Sequence, residues 1–200
     1  MTRRYVLVAA VVAAVALAAA SFLFGRLSVG ESAARPTAVD VGFARDMAVH
    51  HQQAVLMSEL LRERGSDAEL KAIAVDMVLT QTNQVGQMQG WLALWGESFA
   101  TDEPPMRWMG GSHAHHAADV PMTGMATQEQ LNSLEAASGV DAERTYLELM
   151  ILHHQGGVEM AQHAVDHASL PAVRELAQSM LQAQTTELET LQKFLDARTP

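Results

Sequence analysis

The sequence predicts an all-α protein, an antiparallel bundle of four helices made from two copies of one helical hairpin. Composition is the first sign. The chain is 48% hydrophobic but only 5% aromatic, and Ala, Leu, Met and Gln dominate, which suits helices better than strands. An internal repeat is the second. Met47, His50, His51, Gln52, Val55 and Met57 recur as Met150, His153, His154, Gln155, Val158 and Met160 at a constant offset of 103 residues. The register continues without a gap, so that Ser66, Met77, Gln81, Thr82, Gln89 and Leu92 align with Ser169, Met180, Gln184, Thr185, Gln192 and Leu195. The third is punctuation: each copy is broken once, by a short turn, as a helical hairpin requires.

Taken in order, the chain opens with a short basic stretch, Met1 to Arg4, followed by an apolar run from Tyr5 to Phe24. Residues 1–25 therefore read as a signal sequence or an uncleaved membrane anchor. Ala18-Ala19-Ala20 offers a cleavage site, while Phe22, Leu23 and Phe24 prolong the run past it. Either reading exports the remainder, with Arg3 and Arg4 left on the cytoplasmic side if the helix stays. Residues 26–39 are a linker containing Pro36.

The bundle is expected over residues 40–197. Its first hairpin, 40–95, has a helix from Asp40 to Arg64, a break at Gly65, and a second helix opened by the capping box Ser66-Asp67-Ala68-Glu69 and ending near Trp95. Residues 96–126 are loop, rich in Gly and Pro. Thr127-Gln128-Glu129-Gln130 is another capping box and opens a short helix over 127–138. The second hairpin, 140–197, has a helix capped by Asp141 and ending near His167. Ser169 and Pro171 start its partner.

A depth argument follows from the tight turns. His51 stands 14 residues before Gly65, so at about 1.5 Å per residue the returning helix reaches its level near Thr80 to Gln81. The same holds for His154 and Gln184. A polar layer inside the bundle is expected, and such layers need partners.

The pattern Met-x-x-His-His-x-x-x-x-x-Met carries the chemistry. Met47, His50, His51 and Met57, with Met150, His153, His154 and Met160, fall at steps that line a helix face. Thioether and neutral imidazole suit copper, thioether above all Cu(I) and the similar Ag(I). Adjacent histidines point about 100° apart on a helix, so one of each pair can face the core and the other a neighbouring helix. The bland alternative is that Met fills gaps and His is hydrogen-bonded.

A second cluster is the loop from Met106 to Met125. It also holds Met109, Met122, His113, His115 and His116, and methionines in a loop have no core to fill. His163 and His167 form an i, i+4 pair that can chelate or simply face solvent.

Other chemistries are excluded or unsupported. A net charge of −10 argues against nucleic acid, and with no cysteine there is neither a disulfide nor a thiolate metal site. A di-iron centre needs paired Glu-x-x-His motifs, but Glu148 precedes His153 by five residues and Glu159 precedes His163 by four. No phosphate loop or nucleophile elbow is present, and no enzymatic activity is expected.

The residues from Asp40 to Leu195 resemble the family catalogued as domain of unknown function 305. The resemblance is carried by Asp40, Phe43, Met47, His50-His51, Ala54 and Met57, by the Pro121-Met122-Thr123-Gly124-Met125 loop, and by Tyr146 to His154. It departs at Gly157, where alanine is usual. It implies a ferritin-like bundle, export, and binding of copper or silver in metal resistance. Its ligand types carry over to Met47, His51, Met57, Met150, His154 and Met160, and to Met122 and Met125. The expectation is an exported Cu(I) protein, with Ag(I) or Cu(II) as further candidates, either secreted or attached to the membrane by its N-terminal helix, with a copper-handling protein as a candidate partner. The alternative is a structural or interaction ectodomain with an inert Met/His core.

Overall fold

Five α-helices and one short 3-10 turn make up the described part of the chain, with no strand among those residues. The computed structural model describes residues 35–110 and 122–198, with Leu17 and Ser21 besides. The chain divides into two units, Met1–Arg35 and Pro36–Pro200, and every helix named below belongs to the second. Among the described residues no helix is long and apolar enough to cross a membrane. The apolar run from Tyr5 to Phe24, read as a signal or anchor, lies outside them apart from two positions.

Helix α1 spans Ala38–Arg64 and α2 spans Ala68–Trp95. Helix α3 is the short Gln128–Ala136, α4 is Gly139–His167 and α5 is Pro171–Asp196. The two hairpins, α1 with α2 and α4 with α5, meet through α1 and α4, while α3 lies against both of these. Helices α1 and α4 run antiparallel. Asp40, near the start of α1, bonds to Ser169 and Leu170 just past the end of α4, whereas Ser66, past the end of α1, bonds to Glu143 near the start of α4.

Two expected caps are different. Asp67, not Ser66, opens α2, its carboxylate accepting from the Glu69 and Leu70 amides. Ser66 is drawn away because its amide and hydroxyl both donate to Glu143 Oε1, at 2.8 and 2.9 Å. Helix α4 begins at Gly139, two residues before the expected Asp141 cap. The Thr127 box is as expected, with Gln130 and Thr127 bonding reciprocally. Pro171 stands in the first turn of α5, where its missing N–H has no helical partner to lose.

The core falls into two apolar clusters. One gathers the first half of α1, the second half of α2, the end of α4 and the start of α5, and includes Phe43, Met47, Met88, Met160, Val173 and Met180. The other gathers the opposite halves with α3, and includes Met57, Leu61, Met77, Tyr146, Met150 and Leu191. Between them lie His50 and His51 of α1, His153 and His154 of α4, Gln81 of α2 and Gln184 of α5, all buried. This is the polar layer that the depth argument expects. Thr82 and Thr185 are at the same level but face solvent.

Candidate metal site

The layer is built by the alternation of direction between neighbouring residues on a helix. His50 and His153 turn toward the opposite hairpin, and their rings lie 3.7 Å apart between centroids, tilted by 33°. His51 turns toward its own partner helix, with Nε2 2.8 Å from Gln84 Oε1 on α2. His154 does the same in the second hairpin, with Nε2 2.7 Å from Glu187 Oε2 on α5.

The remaining ring contacts fix the proton positions. His50 Nε2 lies 3.2 Å from the Thr123 carbonyl, and His153 Nε2 lies 3.0 Å from the His50 carbonyl. Carbonyl and carboxylate oxygens accept only, so His50, His153 and His154 donate through Nε2–H, and in the neutral ring the free lone pair is then on Nδ1. His51 is alike with the Gln84 amide in its observed orientation.

Five buried atoms of this layer have no hydrogen-bond partner: Nδ1 of His50, His51 and His154, and Oε1 of Gln81 and Gln184. All five present lone pairs. Apolar neighbours cannot satisfy them; a cation or the O–H of a water can. Burial holds His50, His51 and His153 neutral. It lowers His50 to about 3, with His51 beside it acting in the same direction and the Thr123 carbonyl opposing. It lowers His51 to about 4 against the opposing Gln84 bond. His153 is held well below the ordinary histidine value by burial first and by His50 second. Neutral imidazole is the form that binds a metal.

The thioethers sit on either side of the layer. Met47 and Met160 share the first cluster, and Met57 and Met150 the second; all four are fully buried. Each pair joins the leading Met of one repeat to the trailing Met of the other, because α1 and α4 are antiparallel. Among the described residues, no three His, Asp or Glu side chains converge so as to hold a metal ion by themselves.

The loop methionines do have a core to fill, contrary to the sequence argument. Met106 is fully buried and Met122 nearly so, both in the first cluster, with Met125 packed against it. Met106 takes a left-handed backbone, φ 61°, and its amide donates to the Asp46 carboxylate, which also accepts from Trp108 Nε1. Burial is the main influence on Asp46 and raises it despite these bonds. The Met106 sulfur receives the Thr123 amide at 3.3 Å. His113, His115 and His116 lie outside the described residues. His163 and His167 stack, 4.2 Å apart, with Trp108 edge-on to His163, well separated in sequence from the layer.

Residues Met122 to Ala126 strap the layer. The Thr123 carbonyl reaches His50, and Gln53 exchanges two bonds with Ala126, at 2.7 and 2.9 Å. The strap lies so close to α4 that a Cβ on Gly156 would collide with the Thr123 carbonyl. A Cβ on Gly124, at φ 82°, would likewise meet the Leu152 carbonyl. Gly157 matters in a similar way, since the Gln184 amide oxygen occupies the space its Cβ would need.

Sequence reading passed over Gln84 and Glu187. They are repeat counterparts, 103 residues apart, but they differ in type, so a comparison by identity misses them. The available signal was their place one turn beyond the repeated Gln81 and Gln184, on the same helix face.

Fold and site together define a class: a duplicated helical-hairpin protein with a buried histidine layer flanked by methionines. The chain belongs to the family described as Domain of unknown function (DUF305), whose model matches residues 40–195. A DUF305 protein of Streptomyces coelicolor, named as secreted, is 42% identical, with 80% of this chain and 93% of that one covered and a TM-score of 0.74. A DUF305 fragment from Deinococcus radiodurans is 30% identical, covering 82% and 99%, with a TM-score of 0.69. CopM in its Cu(I)-bound form is 22% identical, covering 80% and 98%, with a TM-score of 0.61, a likeness of fold. CopM is also known in Cu(II)-bound and Ag-bound forms. No curated protein matches the chain.

Proposed function

We propose that this protein is an exported copper-handling protein, not an enzyme, which holds Cu(I) or Ag(I) as cargo for sequestration, delivery or resistance. In this reading the four long helices form a ferritin-like bundle around the ion. The observation that carries it is the set of five buried lone pairs, on His50, His51, His154, Gln81 and Gln184, with no donor to meet them. Met47, Met57, Met150 and Met160 lie above and below that set and supply the soft donors that Cu(I) prefers. His153 completes the imidazole group, and Met122 and Met125 of the strap are the donors nearest the outside. Because no three His, Asp or Glu side chains converge among the described residues, a site in the layer draws on thioether or amide groups as well. The copper- and silver-bound forms of CopM give support by analogy of fold. Export is supported by the N-terminal apolar run and by the secreted designation of the Streptomyces relative. A membrane-attached form would present the bundle to a copper-donating or copper-accepting protein.

A second reading, an interaction ectodomain with an inert core, is favoured by one observation: the thioethers are distributed over two apolar clusters that they also fill. Elemental analysis after aerobic and anaerobic titration separates the two. Copper or silver retained through gel filtration supports the first reading. A protein that returns metal-free from both titrations supports the second.

A further inference from the structure

The two halves of the layer differ at the supports of His51 and His154. His51 rests on Gln84 and His154 on Glu187, residues in equivalent positions of the two repeats. Both side chains hold Nε2 and so direct Nδ1 inward, where in both rings it is buried and unpartnered. The two supports differ in what they can do. A carboxylate only accepts, so Glu187 admits only the Nε2–H form of a neutral His154. An amide accepts through oxygen and, turned over, donates through nitrogen, so Gln84 holds His51 in the same tautomer less firmly. A carboxylate behind a ligating imidazole also increases its basicity toward a metal.

We infer that Glu187 and Gln84 are positioning residues that present Nδ1 of His154 and His51 as the metal-facing atoms, and that they make the halves unequal, with a soft monovalent cation held more strongly on the His154 side. The proposal rests on the metal-binding reading above and adds to it the ligand atom and the order of strength. Gly157 reinforces the asymmetry. Its counterpart in the first repeat is Ala54, so only the second hairpin lets its layer glutamine, Gln184, lie directly against the helix backbone.

The test has two arms on the full chain. In metal-free protein, two-bond proton–nitrogen correlation spectra of the imidazoles should show His154 as Nε2–H with Nδ1 unprotonated, and added Ag(I) should move the Nδ1 resonance of His154 before that of His51. In the second arm, chelator competition with Ag(I) should show at least about a tenfold loss of affinity for Glu187→Gln, in line with the usual weight of such supporting residues. Gln84→Glu should raise affinity. Circular dichroism establishes that each variant is folded. A metal-free His154 in the Nδ1–H form, an Ag(I) shift at Nε2, or equal affinity in both variants would overturn the proposal while leaving metal binding intact. A wild-type protein that binds no Ag(I) or Cu(I) would instead overturn the metal reading itself, and this ordering with it.

Discussion

Asp40 and Glu143 stand 103 residues apart, at the same position of the two repeats, and each closes the turn of the other hairpin. Asp40 accepts from the Ser169 hydroxyl at 2.9 Å and the Leu170 amide at 2.9 Å. Glu143 accepts from the Ser66 hydroxyl at 2.9 Å and the Asp67 amide at 2.8 Å. These crossed caps tie the hairpins together at both ends of the α1–α4 contact, where the side chains are buried.

The caps predict an acid-sensitive fold. Burial is the largest influence on Glu143 and pushes it up, but the Asp67 and Ser66 amides and Arg198 outweigh it, taking the carboxyl from its ordinary 4.5 to about 2. Since the folded value is the lower one, the stabilisation is complete above about 4.5 and is lost as pH falls toward 2. Glu143→Gln should destabilise the protein at neutral pH and flatten the acid limb of a urea-midpoint profile between those values. An unchanged profile would remove Glu143 from this role. Asp40 is shifted in the same direction, since bonds from Thr37, Leu170 and Ser169 overcome the opposing effect of burial.

For the location of the metal, the layer and the loop make opposite forecasts. Replacing His51 and His154 together by Ala should reduce Cu(I) affinity far more than replacing His113 and His115 together. Competition against a Cu(I) chelator reads the difference. A larger loss from the loop pair would move the site out of the helices.

Thioether ligation has its own signature. Changing Met47, Met57, Met150 and Met160 to Leu keeps the volume of the two clusters and costs under about 1.5 kcal/mol at each position. The folded variant should lose most of its Cu(I) and Ag(I) affinity, while binding of Cu(II) or Zn²⁺ through histidine should change little. Full retention of Cu(I) affinity would leave the methionines as core residues only.

Closeness of the strap can be tested at Gly156. Alanine there would drive a methyl into the Thr123 carbonyl, and backbone cannot move aside as a side-chain tip can. Gly156→Ala should cost about 1–3 kcal/mol in thermal or urea unfolding. It should also release His50 Nε2 from Thr123, visible as a shift of that imidazole resonance. A variant as stable as the wild type would mean that the strap yields freely.

Much of this was legible in the residues because a repeat reports on itself twice. The helix periods, the hairpin turns, and the burial of Gln81 and Gln184 followed from the 103-residue offset and from helix rise. What escaped were features that depend on contacts between distant segments. Ser66 has every mark of a capping residue, yet Glu143, 77 residues on, takes both its donors. Met106 and Met122 lie in a stretch that reads as loop, and nothing local says that Asp46 and the first cluster draw them in. Of the candidate ligands, the structure brings the four histidines into one layer and keeps the methionines beside it. The pairing of His51 with an amide and His154 with a carboxylate needed the returning helices in place.

The contact of His50 with His153 is a residue meeting its own counterpart, as happens where an approximate twofold axis relates the two repeats. The α1–α4 face is therefore self-complementary, the arrangement of an isologous homodimer. Two separate hairpins would have to find one another to form it, and the layer would then come and go with dilution. Joining them through residues 96–138 makes the encounter intramolecular, at an effective concentration set by the connecting segment. The imidazole layer is thus assembled in every single molecule, however sparse the protein is where it works.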